Sequence, residues 1–293
     1  MRIKIQTLFF LCLVLLCAPS AIRAKEPGKF YIVGMGTTPD LIAVRGVEVI
    51  KSSQIIIVGG QGERNHWKDY ILDKEVWYSS NALRRMYGVD PNAIKDPKQR
   101  ETAEKANKDR QEFVERIRAA VQDGKNVAFL QSGDPMMYGQ TFMLEMLPKD
   151  FPSEIVPGIG AFQAASAAVK MSPPYGYDTN GVILALAEDW PGRADVNEKL
   201  MATGSTMAFY TMGVNYPELF AQLARHYPAD TPVAVVANAG NRQTQKVTSS
   251  TVGQFLRDVD YKNLGTHMLL VGKFLTAGQA RKDFMMTNAE HGD

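Results

Sequence analysis

The chain has 293 residues, with 33 lysines and arginines against 31 aspartates and glutamates, and 45% of it is hydrophobic. That near balance excludes an electrostatic nucleic-acid binder, and the length buries a large core as one big domain or two moderate ones. Two cysteines and four histidines without ligand spacing exclude a disulfide framework and a zinc site.

Arg2 and Lys4 precede an apolar run from Leu8 to Leu16, and Ala24 offers a small residue for cleavage before Lys25. This is the pattern of a signal peptide over residues 1–24, and the run is shorter than the ~20 residues of a bilayer span. Cleavage would remove both cysteines, Cys12 and Cys17, together with Arg2, Lys4 and Arg23. The expectation is an exported protein, periplasmic or secreted, without stable membrane insertion. A start codon assigned too early would instead leave it cytoplasmic.

Lys29–Gly34, KFYIVG, reads as a strand, followed by the turn GTTPD. Residues 40–51 carry helical spacing at Leu41, Val44, Val47, Val49 and Ile50, with Asp40 placed as the cap. QIIIVGG, residues 54–60, is a second strand, and strand–helix–strand opens a parallel sheet. Residues 62–97 give no clear element. A helix is expected over 98–123, with Phe113, Ile117, Ala120 and Val121 on its apolar face and Gly124 as its stop. The strand 126–131 runs straight into LQSGDPMMYG, residues 130–139. A helix over 140–146, a strand over 153–156 and the turn and alanine-rich helix of PGIGAFQAASAAVK follow.

The Pro-Pro-Tyr-Gly segment at 173–176 marks a break. It divides an N-terminal α/β domain, 25–175, from a C-terminal α/β domain, 176–280, with a flexible tail over 281–293. The second half reads as strands at 181–187, 205–213, 231–240 and 266–274, with helices at 195–202, 216–227 and 251–258.

A glycine-bearing turn at the carboxyl end of a parallel strand is where α/β sheets hold ligands. In SGDP, Gly133 supplies backbone freedom, Pro135 fixes the exit, and Asp134 can accept hydrogen bonds from the turn or from a ligand hydroxyl. GMGTTPD lacks GxGxxG, and no phosphate-binding lysine motif follows it, so neither NAD nor a nucleoside triphosphate is supported. A small ligand held by backbone groups fits better.

Taken in order, YIVGMGTTPDLIAVRGVEVI, LQSGDPMMYG, VPGIGAFQAA, TMAFYTMG, TPVAVVANAGNRQTQKVTSS and THMLLVG resemble the motifs of the S-adenosylmethionine-dependent tetrapyrrole (corrin/porphyrin) methylases. The resemblance runs over about residues 28–275. It implies two α/β domains with a cofactor cleft between them, a homodimer, and S-adenosyl-L-methionine as cofactor. By motif, Gly133, Asp134 and Tyr138 would border the methionine end and ribose, with Ala161 and Phe162 beside them. Tyr210 and Met212 would contribute from the second domain, and Ala239, Gly240, Thr266, His267 and Met268 would lie near the adenine.

Pro39 and Asp40 would face the substrate, and Asp40 and Tyr210 are weak candidates for a base. Without the resemblance, Met212 and His267 read equally well as core residues. The space above Gly133 and Gly240 is expected to be open in a cofactor site. The implied activity is methyl transfer to a small molecule, a tetrapyrrole or a peptide. Met136, Met137 and Gln140 stand where arginines would pair with substrate carboxylates, which disfavours uroporphyrinogen as acceptor. The alternative is an exported, non-catalytic binding protein that keeps the cleft, with a second cavity lined from Tyr31, His66, Tyr78, Tyr175, Tyr177 and Trp190.

Overall fold

The structure, a computed structural model, describes residues 26–79, 83, 86–174, 181–187 and 196–276. The expected leader, residues 175–176 of the expected break and the 281–293 tail lie outside the described residues, as do Tyr175, Tyr177 and Trp190.

Short apolar runs in the central β1 (Phe30–Gly34), β2 (Ile55–Val58) and β4 (Val127–Gln131), with part-exposed margins β3 (Glu75–Tyr78) and β5 (Ser153–Val156), build the first sheet. All pair in parallel, in the order β3-β2-β4-β1-β5. Strand alternation sends Phe30, Ile32, Ile57, Val127 and Phe129 to one face and Val33, Ile56, Val58, Ala128 and Leu130 to the other. The second face is covered by Val49 and Ile50 of α1 (Val44–Ser52), by Trp67, which follows α2 (Gln61–His66), and by Ile71 of α3 (Lys68–Ile71). The first is covered by α4 (Pro97–Gln122), whose buried Ala106, Arg110, Val114, Ile117 and Val121 recur at helical spacing. Asp96 caps α4 by accepting the Gln99 amide at 2.8 Å, and Pro97 sits in its first turn.

Two local expectations are corrected. Asp40 does not cap α1, which starts at Val44 after Ala43; Pro39–Leu41 is a separate 3-10 turn. The Asp40 carboxylate is instead taken by the Thr38 hydroxyl and Arg242, each at 2.7 Å. The helix expected over 140–146 shortens to α5 (Phe142–Glu145), because the Gln140 amide is committed to the Gln131 side chain at 2.9 Å.

The second sheet comprises β6 (Val182–Leu186), β7 (Thr206–Tyr210), β8 (Pro232–Ala237), β9 (Lys246–Thr251) and β10 (His267–Val271), ordered β6-β7-β10-β8-β9. Only β6 and β7 are parallel, so the half is a mixed sheet and not a repeat of the first. β9 takes Thr251 from the helix expected over 251–258, which contracts to α9 (Phe255–Asp258).

Met207, Phe209, Val235, Leu269 and Val271 face α8 (Tyr216–His226) and Phe255. The opposite face, with Ala208, Val236, Met268 and Leu270, receives Ala165 of α6 (Ala161–Val169). The remaining helix, α7 (Val196–Met201), contributes Met201 to the α8 side. Thus α6 starts at the carboxyl edge of the first sheet, after β5, and packs on the second. No helix among the described residues is long and apolar enough to cross a membrane.

Candidate functional site

The turns that leave β4, β1 and β5, three neighbours in the sheet, meet at its carboxyl edge through glycine backbones. A Cβ on Gly34 would lie 2.4 Å from the Gly158 nitrogen, and one on Gly158 would lie 2.3 Å from the Gly133 oxygen. Only residues without side chains let these chains touch. The Gly133 amide donates to the Gly36 carbonyl at 2.7 Å and the Gly36 amide returns the bond at 3.3 Å. Both residues have φ of +72°, the left-handed region that favours glycine. On its other side Gly133 is open: an added Cβ would find only Gly160 Cα, at 3.9 Å.

The 133–139 turn is closed from within. Asp134 Oδ1 accepts the Met136 amide at 2.9 Å, and its carbonyl accepts the Met137 amide at 3.1 Å. Gly139 packs so closely on Pro135 that a Cβ would come within 2.2 Å of the Pro135 oxygen. The chain between them forces Tyr138 to φ +63°, uncommon for a side chain of this size.

Tyr138 reaches across to the second sheet. Its ring meets that of Tyr210, at the end of β7, with centroids 5.1 Å apart and planes at 70°. Burial pushes the Tyr138 phenol up. Burial, then the neighbouring Tyr138 and the Asp134 charge, push Tyr210 up to about 12. The Tyr210 hydroxyl is buried and has no hydrogen-bond partner among the described residues. Tyr210 therefore stays protonated at neutral pH, a donor awaiting an acceptor and a poor base. Asp40, the other candidate base, is held below the usual carboxylate range by the Thr38 hydroxyl and by Arg242.

The structure brings most of the expected residues together, with exceptions. Ala161, Phe162, Tyr210, Ala239 and Met268 share one packed cluster between α6 and the second sheet. Phe162 also lines a cavity of about 500 Å³ with Gln163, Ser166, Pro173, Val182 and Leu184. Met212 is 59% exposed, beyond that packing. The His267 side chain points to the other face of the sheet: Nε2 pairs with the Tyr216 hydroxyl, and Nδ1 lies 2.6 Å from the Gly265 carbonyl. Thr266 is exposed, and its carbonyl accepts the Asn238 amide at 2.9 Å. The space beside Gly240 is filled and not open: a Cβ there would lie 2.5 Å from Thr37 Oγ1 and 2.7 Å from Leu41 Cδ1. Of the residues named for a second cavity, Tyr31, His66 and Tyr78 each have a local partner. Tyr31 lies under Lys29, His66 packs on Trp67, and Tyr78 bonds Gln61.

His267 carries a testable consequence. Burial depresses its pKa, only partly offset by the Gly265 carbonyl. Between the depressed folded value and the usual ~6.5, the unfolded chain binds more protons, so stability is complete above that window and falls as pH drops through it. Urea midpoints at about pH 7.5 and pH 5 should differ more for the wild type than for His267→Gln; equal shifts would place the pH dependence elsewhere.

Residues 29–256 match the profile of the family described as Tetrapyrrole (Corrin/Porphyrin) Methylases. The chain is 26% identical over 269 residues to the precorrin-4 C(11)-methyltransferase of Pseudomonas aeruginosa, covering 89% of this chain and 96% of that one. It is 26% identical over 263 residues to a siroheme synthase of Hydrogenovibrio crunogenus, covering 85% of this chain but only 49% of that protein's length. Among solved structures, a cobalt precorrin-4 methyltransferase is similar with a TM-score of 0.64 and 25% identity, over 84% of this chain and 95% of the other.

Proposed function

The chain belongs to the tetrapyrrole (corrin/porphyrin) methylase family, and from that premise we propose that the edge built from Gly133, Asp134, Tyr138 and Tyr210 is its cofactor site. The protein is an S-adenosylmethionine-dependent methyltransferase of the tetrapyrrole-methylase type acting on a small molecule. The observation that carries the site is a turn left open at Gly133 whose Tyr138 packs on Tyr210, a buried phenol without a partner among the described residues. Both features fit a polar ligand that approaches backbone closely and supplies an acceptor to Tyr210.

The cofactor, when bound, supplies an already activated methyl group, so the protein's task is alignment and exclusion of water more than acid–base chemistry. Asp134 and the surrounding amides would hold its polar groups, and Ala161, Phe162, Ala239 and Met268 its apolar surface. Tyr210 donates a hydrogen bond and does not abstract a proton. A tetrapyrrole is the acceptor class that the relatives' names support, and the protein works as an exported homodimer in this reading.

The test is incubation with S-adenosylmethionine labelled in its methyl group and a panel of reduced and oxidised tetrapyrroles. Label transfer supports the reading. Binding without transfer to any acceptor would favour a retained cleft without catalysis. N-terminal sequencing of protein recovered outside the cytosol should begin near Lys25, and light scattering should give twice the chain mass.

Tyr210→Phe separates stability from function. Removing a buried hydroxyl without a partner relieves a desolvation cost, so the ligand-free variant should gain up to about 1 kcal/mol. Its affinity for S-adenosylmethionine should nevertheless fall several-fold. Loss of both stability and affinity would show that the hydroxyl is satisfied within the free protein.

A further inference from the structure

Arg242 joins the two halves of the chain through an exposed ion pair, a kind of contact that adds little stability, and most of its guanidinium is left unused. It sits in the loop between β8 and β9, whose backbone is tied at almost every step. The Gln243 and Thr244 amides donate to Asn241 Oδ1, each at 3.0 Å, and the Gln245 amide donates to the Asn241 carbonyl at 2.9 Å. The Asn241 amide in turn donates to the Asn238 carbonyl at 3.0 Å. From this fixed base the Arg242 Nε–H donates to Asp40 Oδ2 at 2.7 Å, while Asp40 Oδ1 takes the Thr38 hydroxyl at 2.7 Å. Both carboxylate oxygens are thus engaged, whereas the two Nη nitrogens of Arg242 have no partner among the described residues.

The loop stands beside the edge where Gly133 lies open. A Cβ on Gly240 would lie 3.7 Å from Ala164 Cβ, and the Ala164 amide donates to the carbonyl of Gly160, the residue that faces the open side of Gly133. The turns around this edge, residues 34–41, 131–141, 156–160, 211–215 and 238–245, hold a single lysine or arginine between them, and it is Arg242. A guanidinium with a free fork of N–H groups, on a rim otherwise without lysine or arginine, is the chemistry that takes a carboxylate in two parallel hydrogen bonds.

We propose that Arg242, anchored to Asp40, reads a carboxylate on the edge of the methyl acceptor. This rests on the methyltransferase reading of the adjoining site and names the acceptor class which that reading leaves open: a macrocycle with few carboxylates, one of them set against the β8–β9 loop. A molecule with carboxylates all around its edge would bring anions that no other residue of these turns pairs, and Asp40 and Asp134 would oppose them.

Fluorescence titration of the purified protein, in the presence of S-adenosylhomocysteine, with the dicarboxylate mesoporphyrin IX and with its neutral dimethyl ester tests this. The wild type should bind the acid about tenfold more tightly than the ester, the effect of one charge-assisted pair, and added salt should narrow the difference. Arg242→Gln should bring the ratio to about one by weakening the acid alone, and Arg242→Lys, a point charge without the fork, should keep only part of it. Uroporphyrin, carboxylated on every pyrrole, should bind more weakly than mesoporphyrin. Melting curves check that each variant folds, which substitution of an exposed loop side chain should permit. Equal affinity of the wild type for acid and ester, or Arg242→Gln weakening both alike, overturns the carboxylate reader and leaves the cofactor site standing. So does binding of S-adenosylmethionine with neither porphyrin bound, and tighter binding of uroporphyrin overturns the preference for few carboxylates. Binding of neither porphyrin nor S-adenosylmethionine by folded protein overturns the reading of the site and this inference with it.

Discussion

Gly158→Ala is expected to prevent stable folding, while Gly133→Ala folds and loses its cofactor. The two glycines touch, yet their surroundings differ. A Cβ at Gly158 would stand 2.3 Å from the Gly133 oxygen and 2.6 Å from the Gly34 carbonyl carbon. Those are backbone atoms of turns leaving β4 and β1, fixed by the parallel ladders behind them. No rotamer change relieves the clash, so the strand ends must part and the Gly36–Gly133 hydrogen bonds with them. Overpacking of a core site costs about 1–3 kcal/mol and more where nothing yields. A cost at or above that upper figure is a large share of the ~5–15 kcal/mol that holds a domain together.

At Gly133 the added methyl meets open space, and the cost is that of a left-handed residue, about 1–2 kcal/mol. The methyl would occupy the space assigned to the ligand, so affinity for S-adenosylmethionine should drop at least about tenfold, or ~1.4 kcal/mol. Circular dichroism with urea titration, then calorimetry, checks both. A folded Gly158→Ala protein with normal affinity would mean that the glycine contact is adaptable. Normal affinity in Gly133→Ala would move the cofactor site elsewhere.

The sequence already showed β1, β2 and β4, because strands buried on both faces of a parallel sheet read as unbroken apolar runs, and the short edge strand β5, set between Pro152 and Pro157. β9 was illegible for the opposite reason: KVTSST forms the exposed margin of its sheet, with little apolar pattern to betray it. Gly133 and Asp134 were visible as a turn after a strand. What no local pattern contained was the partner across the cleft. Tyr138 and Tyr210 lie 72 positions apart and meet only once α6 lays the second sheet against the first sheet's edge. Asp40 misled because its spacing suits a helix cap, and one of its two partners, Arg242, is 202 residues away. His267 was misplaced by one step of strand alternation: its neighbour Met268 faces α6, and His267 therefore faces α8.

Gly240→Ala should loosen the seam between the two halves and weaken cofactor binding more than loss of the ion pair beside it. The β8–β9 loop crosses to the first half at this residue and is stiffened by the Gly240 amide donating to the Gln245 side chain at 2.8 Å. It lies against Thr37 and Leu41 in the turn after β1, and Arg242 reaches Asp40 of that turn at 2.7 Å. The ion pair is the more conspicuous link but the weaker one. The Arg242 side chain is 85% exposed and that of Asp40 43%, so solvent screens the pair and it adds little to the seam.

A methyl at Gly240 meets Thr37 Oγ1 at 2.5 Å and Leu41 Cδ1 at 2.7 Å, and φ of +89° adds backbone strain of about 1–2 kcal/mol. The side chains can yield, unlike the backbone atoms around Gly158, and they yield by moving the 37–41 turn away from the loop. That turn leaves the same strand that anchors Gly34 and Gly36, so the displacement reaches the cofactor edge. A tenfold or greater loss of affinity is expected in Gly240→Ala, against less than about fivefold in Arg242→Gln, whose effect should also shrink with added salt. The reverse order would mean that charge, and not close packing of the glycine loop, holds the cleft together.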